Sequence, residues 1–302
     1  MNNNVIMNWP GIKVVRQLSV SQLIKEHMGY LQRIHTDIGN LDEIPGFADL
    51  VSDWERGLEK LRKCRVLIML GVGMQPQNVQ NHIDCLGDSG IRAVTFEWPE
   101  FVGEMASFKA QSWWLEQQEI TKDKQLVLVG HSLGHLVGLQ FVHDNSKKIA
   151  AFLGSSGPCR SHDDVFPAEL VELLKKIEQM SGEDGMQTWV QRADQLLSKF
   201  RIKIADFPAR TKGGLGAMAR IYLAHILPST PDYWEKLYRE LPDNLPAHYR
   251  YGLYDRTVIR GGGMGAVFQA HNAEIVFDPN ADHMMYSPQN TLKVLGHLLA
   301  RS

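Results

Sequence analysis

Cysteine is scarce in this chain: among 302 residues there are three, Cys64, Cys85 and Cys159. An odd, widely spaced set offers no disulfide framework, and none stands in a C-x-x-C pair that would start a structural zinc site. A reducing, cytoplasmic setting is the expectation. Charge of one sign is also missing. Lys and Arg number 32 against 34 Asp and Glu, a formal net charge of −2, so there is no basic field to attract nucleic acid or an anionic membrane. No apolar run approaches membrane-spanning length. The first residues, MNNNVIMNWPGIKVV, lack the charged start and apolar core of a secretion signal. Repeats and low-complexity tracts are absent. What remains, 44% hydrophobic and 22% charged, is the balance of a soluble protein with a full core.

From Cys64 onward, short apolar runs alternate with stretches of helical period. The runs Arg65–Leu70, Ile91–Trp98, Leu126–Val129, Ile149–Leu153, His248–Tyr254 and Glu274–Phe277 predict strands. Helices are predicted over Val79–Leu86, Ala110–Ile120, Leu136–Val142 and Pro288–Arg301. Repeated strand–helix–strand units imply a mostly parallel sheet with helices on both faces, an α/β fold. Residues 159–241 break the rhythm. They contain four helical segments, the last Pro231–Leu241, and no convincing strand, so they predict a helical cap inserted over the strand ends. The resulting division is an N-terminal, largely helical extension over 1–63, a core over 64–158 and 242–302, and the cap between. In the extension, Val5–Asn8 and Ile12–Gln17 read as short strands, a helix follows to about His35, and Phe47–Leu61 reads as an amphipathic helix.

The most informative stretch is Gln125–His135, QLVLVGHSLGH. A buried strand runs into Gly130-His131-Ser132-Leu133-Gly134, and a helix follows. This G-x-S-x-G spacing places a serine on a sharp strand-to-helix turn, where small residues two before and two after it avoid a clash. A serine hydroxyl is a poor nucleophile unless a base lies within hydrogen-bond reach and an acid orients that base. In an open α/β sheet such groups sit on loops beyond the carboxyl ends of strands. Ser132, Asp255 and His283 all meet that condition, in the chain order Ser, Asp, His. Asp282 and Asp278 compete with Asp255 for the acid.

From about Cys64 to its end the chain resembles the α/β-hydrolase superfamily, in particular its capped serine esterases and lipases. GHSLG resembles the nucleophile elbow. Gly252, Asp255 and Val258 resemble the G-x-x-D-x-x-V setting of the acid, and FDPNADHMMYSP resembles the loop of the catalytic histidine. The resemblance implies Ser132 as nucleophile, His283 as general base and Asp255 as orienting acid. It places one oxyanion-hole amide on Leu133. It places the other on the loop after the first clear strand, on Val72 or next on Gly73. His131, His135 and Met74 then become candidates to line the substrate site, although the imidazole at 135 can equally crowd the helix against a strand. The chain departs from the family pattern at Leu70-Gly71, where relatives carry His-Gly, and at Glu97-Trp98-Pro99-Glu100-Phe101.

The activity so implied is hydrolysis of a carboxylic ester or thioester of an apolar acyl group, with no metal and no organic cofactor. The partner is a small-molecule acyl substrate, and oligomeric state is left open. Carbon–carbon bond or lactone hydrolysis, acyl transfer, product release in a biosynthetic pathway, and a non-catalytic ligand-binding protein are the competing readings. His131 and His135 stand four apart like helix-borne metal ligands, but the glutamate of that motif is replaced by Ser132. Gly71-x-Gly73 is a fragment of a dinucleotide fingerprint whose third glycine position holds Pro76.

Overall fold

A computed structural model describes residues 47–71, 74–99, 103–122, 125–162, 172, 175, 230–253, 255, 258, 263–271, 273–279 and 281–302. The strands and first helix expected before residue 47, and nearly all of the expected cap, lie outside them.

Among the described residues, six strands form one all-parallel sheet: β1 (Arg65–Met69), β2 (Arg92–Thr95), β3 (Leu126–His131), β4 (Ile149–Ser155), β5 (Ala247–Gly252) and β6 (Ala273–Asp278). Their spatial order is β2-β1-β3-β4-β5-β6. Parallel neighbours need crossovers, and helices supply them. The helices are α1 (Phe47–Lys63), α2 (Gln80–Asp88), α3 (Phe108–Glu116), α4 (Leu133–Asn145), α5 (Pro231–Arg239) and α6 (Pro288–Ala300).

The side-chain alternation of a strand divides the core in two. Leu67 and Met69 of β1, Leu126 and Leu128 of β3, and Ala247, Tyr249 and Tyr251 of β5 join α3, α4 and α5 on one face. Val66 and Ile68 of β1, Val127 and Val129 of β3, and Ala151 and Leu153 of β4 join α1, α2 and α6 on the other. Helix α4 is buried continuously from Gly134 to Val142, because the sheet covers one side of it and α3 and α5 the other. That is why its sequence is apolar all round.

Two bounds differ from expectation for local reasons. Helix α3 begins at Phe108 rather than Ala110, because the Ser107 hydroxyl accepts from the Ala110 N–H and caps it. Strand β2 ends at Thr95 rather than Trp98. It lies at the edge of the described sheet, and its ladder with β1 stops at the Ile68–Thr95 pair. Among the described residues, no helix is long and apolar enough to cross a membrane.

Candidate active site

Strand β3 ends at the centre of the sheet, and the chain reverses there into α4. Ser132 sits on this reversal with φ 51° and ψ −117°, a conformation a non-glycine residue holds only when its surroundings enforce it. Its N–H donates to the Ser155 carbonyl at 2.9 Å, and its carbonyl accepts from the His135 N–H at 3.0 Å. The flanking glycines are sterically required. A Cβ at Gly134 would stand 2.2 Å from the Met69 carbonyl oxygen, and one at Gly130 would stand 2.7 Å from His135 Cα. The turn therefore closes only with hydrogen at both places, and the serine hydroxyl is presented at the strand end beside the positive end of α4.

Three expected side chains meet here, although they are 28 to 151 residues apart. The Ser132 hydroxyl lies 3.0 Å from His283 Nε2. On the other side of the ring, His283 Nδ1 lies 2.9 Å from Asp255 Oδ2. Asp255 is 1% exposed. Burial pushes its carboxyl up, but the His283 ring beside it and donors from His283, the Val258 N–H and the Ser156 hydroxyl together hold it below its ordinary value. An ionised carboxylate only accepts. His283 Nδ1 therefore carries a proton, and Nε2 is left as the acceptor for the serine hydroxyl. The competing carboxylates are occupied elsewhere: Asp282 accepts from the Met284 N–H, and Asp278 pairs with Arg250.

The remaining expected residues separate. Leu133 is the first residue of α4, so its N–H has no partner within the helix. Val72 and Gly73 lie outside the described residues. Met74 folds back on the same loop, its Sδ accepting from the Gly71 N–H at 3.4 Å. His131 is buried beside His283, the two rings 5.1 Å apart, and its Nδ1 lies 3.4 Å from Ser155 Oγ. Burial foremost, then the neighbouring His283, keeps it neutral by lowering its pKa well below the ordinary value.

His135 is not at the site surface. It is 0% exposed, stacked on Tyr249 at 5.3 Å, with Nε2 accepting from the Tyr238 hydroxyl at 2.7 Å. The crowding alternative is the one realised: the ring fills the space between α4 and the sheet. Trp234 of α5 is likewise core, edge-on to Phe108. Among the described residues no group of three or more His, Cys, Asp or Glu is placed to hold a metal ion.

One residue escaped the sequence reading. Ser156, just past β4, also has φ 51°, is 1% exposed, and donates to Asp255. Its only sequence signal is its place in the Gly154–Pro158 run after a strand.

The fold is that of the α/β-hydrolases. The sequence itself matches no protein-family model and no curated protein. Among solved structures the chain is similar to a thermophilic esterase from Thermogutta terrifontis, at TM-score 0.53 and 16% identity over 73% of this chain and 82% of that one. It is similar to a carboxylesterase structure from the ammonia-oxidizing thaumarchaeon Nitrososphaera gargenis, at TM-score 0.53 and 14% identity over 72% and 82%. It is also similar to MenH from S. aureus, at TM-score 0.52 and 14% identity over 75% and 87%.

Proposed function

We propose that this protein is a serine hydrolase that cleaves a carboxylic ester, or a thioester, of a small to medium apolar acyl group through an acyl-enzyme on Ser132. One observation carries the reading: the unbroken chain from the Ser132 hydroxyl through His283 to a buried, ionised Asp255, at 3.0 and 2.9 Å. That geometry is what serine activation requires. The esterases among the structural neighbours make the same class of reaction the natural one to test.

In the forward step, Ser132 Oγ forms a bond to the acyl carbon while its proton passes to His283 Nε2. Asp255 fixes the ring and stabilises the imidazolium. The oxyanion is met by the Leu133 N–H and by a second amide from the loop after β1, at residue 72 or 73. Collapse breaks the acyl–oxygen or acyl–sulfur bond, and His283 returns the proton to the leaving group. A water, deprotonated by the same nitrogen, then releases the acid and restores the serine. Residues 159–241, as a cap, exclude bulk water and select the acyl group.

A fluorophosphonate probe tests this directly. The wild type should be labelled on Ser132, and Ser132→Ala should neither label nor turn over a panel of nitrophenyl esters and thioesters of varied acyl length. Turnover by Ser132→Ala at the wild-type rate refutes the proposal.

A further inference from the structure

Strand β5 places two charged-type side chains where the sheet packs against helices. Its odd positions, Ala247, Tyr249 and Tyr251, join one apolar cluster. By alternation, His248 and Arg250 face the other way, and both are buried, at 1% and 6% exposure. Burying a guanidinium is costly unless its donors are matched, so what Arg250 binds is informative. Its Nη2 and Nε reach Asp278 Oδ2 at 2.8 and 3.3 Å, and its Nη1 donates to the Met284 carbonyl at 2.7 Å. Its guanidinium lies over the Tyr286 ring at 4.3 Å.

Those contacts converge on the segment that carries His283, between β6 and α6. Two further bonds pin the same segment. His82 Nε2 donates to the Tyr286 carbonyl at 2.8 Å, and the Tyr286 hydroxyl donates to His248 Nε2 at 2.9 Å. His248 is in turn fixed by Glu274 at 3.3 Å, itself paired with Arg301 at 3.4 Å. Gly252 lets the segment lie directly on β5, since a Cβ there would stand 2.3 Å from the Ala281 and Asp282 carbonyl oxygens. The neighbours of His283 add little packing: Asp282 is exposed, and the Met284 side chain is 58% exposed. Within the segment Ala281 and Met285 are buried, and its backbone is tied by Arg250 from the sheet at Met284 and by His82 from α2 at Tyr286.

We infer that Arg250 is a positioning residue for the proposed general base, holding His283 in line with Ser132 through the carbonyl of Met284. The inference rests on the serine-hydrolase reading. A shift of the base by about 1 Å is enough to cost on the order of 100-fold in rate, and Arg250 is the charged tie next to that base.

The test is single-turnover labelling of the full-length protein by a fluorophosphonate, with steady-state kinetics on a nitrophenyl ester, for wild type, Arg250→Met and Arg250→Lys. A positioning role slows every molecule. Arg250→Met should label to full amplitude as a single exponential about 10- to 100-fold slower, with kcat falling in parallel and KM within about threefold. Arg250→Lys, which keeps the charge and one donor toward the carbonyl, should recover part of the rate. Full-rate labelling overturns the inference, and so does reduced amplitude at the wild-type rate constant, which would mean that Arg250 only helps the chain fold. If Arg250→Met yields no folded protein, the reading passes to Asp278→Asn, which loosens the guanidinium without burying a new group. There a slowing of about threefold or more supports the inference, and an unchanged rate overturns it. Absence of labelling in the wild type is a separate result: it removes the serine-hydrolase reading, and the inference with it.

Discussion

Acidification from pH 7.5 to about pH 5 should weaken the folded state, and His135 supplies a calculable part of the loss. The ring is enclosed by Tyr249, Tyr238 and Phe152, with ring centroids 5.3 to 6.2 Å away. The titratable groups around it are tyrosines, the Cys159 thiol and His131, itself held neutral by burial, so nothing there compensates an imidazolium. Burial lowers its pKa from 6.5 to about 3, opposed only weakly by the Ser155 carbonyl. The sign follows from linkage. The folded value is depressed, so the unfolded chain binds the proton that the folded chain refuses. Stability is whole above pH 6.5 and falls as pH drops toward 3. With those two values, the loss between pH 7.5 and pH 5 is about 2 kcal/mol.

His131, also held neutral chiefly by burial, adds to the loss in both proteins, so the contrast between them reads His135 together with its repulsion of His131. Urea unfolding of wild type and His135→Gln, followed by tryptophan fluorescence and far-UV circular dichroism, gives the comparison where the two probes coincide. The variant is expected to be less stable at pH 7.5, by about 1 kcal/mol through the altered Tyr238 contact. It should lose about 2 kcal/mol less than wild type on acidification. Equal losses in the two proteins would refute the account of a neutral, uncompensated imidazole at 135.

Other expectations follow from the same geometry. Gly134→Ala forces a methyl group onto the Met69 carbonyl, and thermal unfolding should show destabilisation on the order of 3 kcal/mol. Asp255→Asn removes the acceptor that sets the His283 tautomer, so kcat on a nitrophenyl ester should fall about 10³- to 10⁴-fold while the far-UV spectrum stays native. Ser156→Ala deletes one donor to Asp255; a loss of about 1 kcal/mol would appear as roughly fivefold slower fluorophosphonate labelling, and an unchanged rate would deny that hydroxyl a role.

How much of this was legible beforehand depended on range in the chain. The central strands could be read because strands buried on both faces are apolar throughout, as in Leu126–Val129. The elbow could be read because its glycines answer to contacts made within a few residues or with the adjoining strand. Asp255 and His283 could be placed because each follows a strand end. What was hidden involved partners distant in sequence. His248–Tyr254 reads as a strand, one that carries a histidine and an arginine. Only the fold shows that the polar face is dry and matched by Glu274, Asp278 and the Met284 carbonyl. His135 was ambiguous for the same reason: Tyr238, which receives it, is 103 residues away.

The two faces of the sheet thus divide the labour of presenting one strained serine. A residue at φ 51° stores on the order of 1–3 kcal/mol, and it relaxes unless its frame is stiffer than the strain is strong. On the α4 face, stiffness comes from apolar contact: Met69 against Gly134 on one side of the helix start, and the neutral ring of His135 wedged against Tyr249 on the other. On the α6 face an apolar cluster that includes Met285 is supplemented by ionic and hydrogen-bonded ties from Arg250, His248 and His82 to the segment of His283. Contact packing fixes a position by exclusion and gives way gradually as side chains are trimmed. A network of matched charges fixes it by attraction and fails when one member is removed, because its partner is left buried and unpaired. Substitutions in the apolar contacts of either face should therefore lower stability roughly in proportion to the volume changed, while single substitutions among the ties to the segment of His283 should cut the reaction rate out of proportion to their effect on stability.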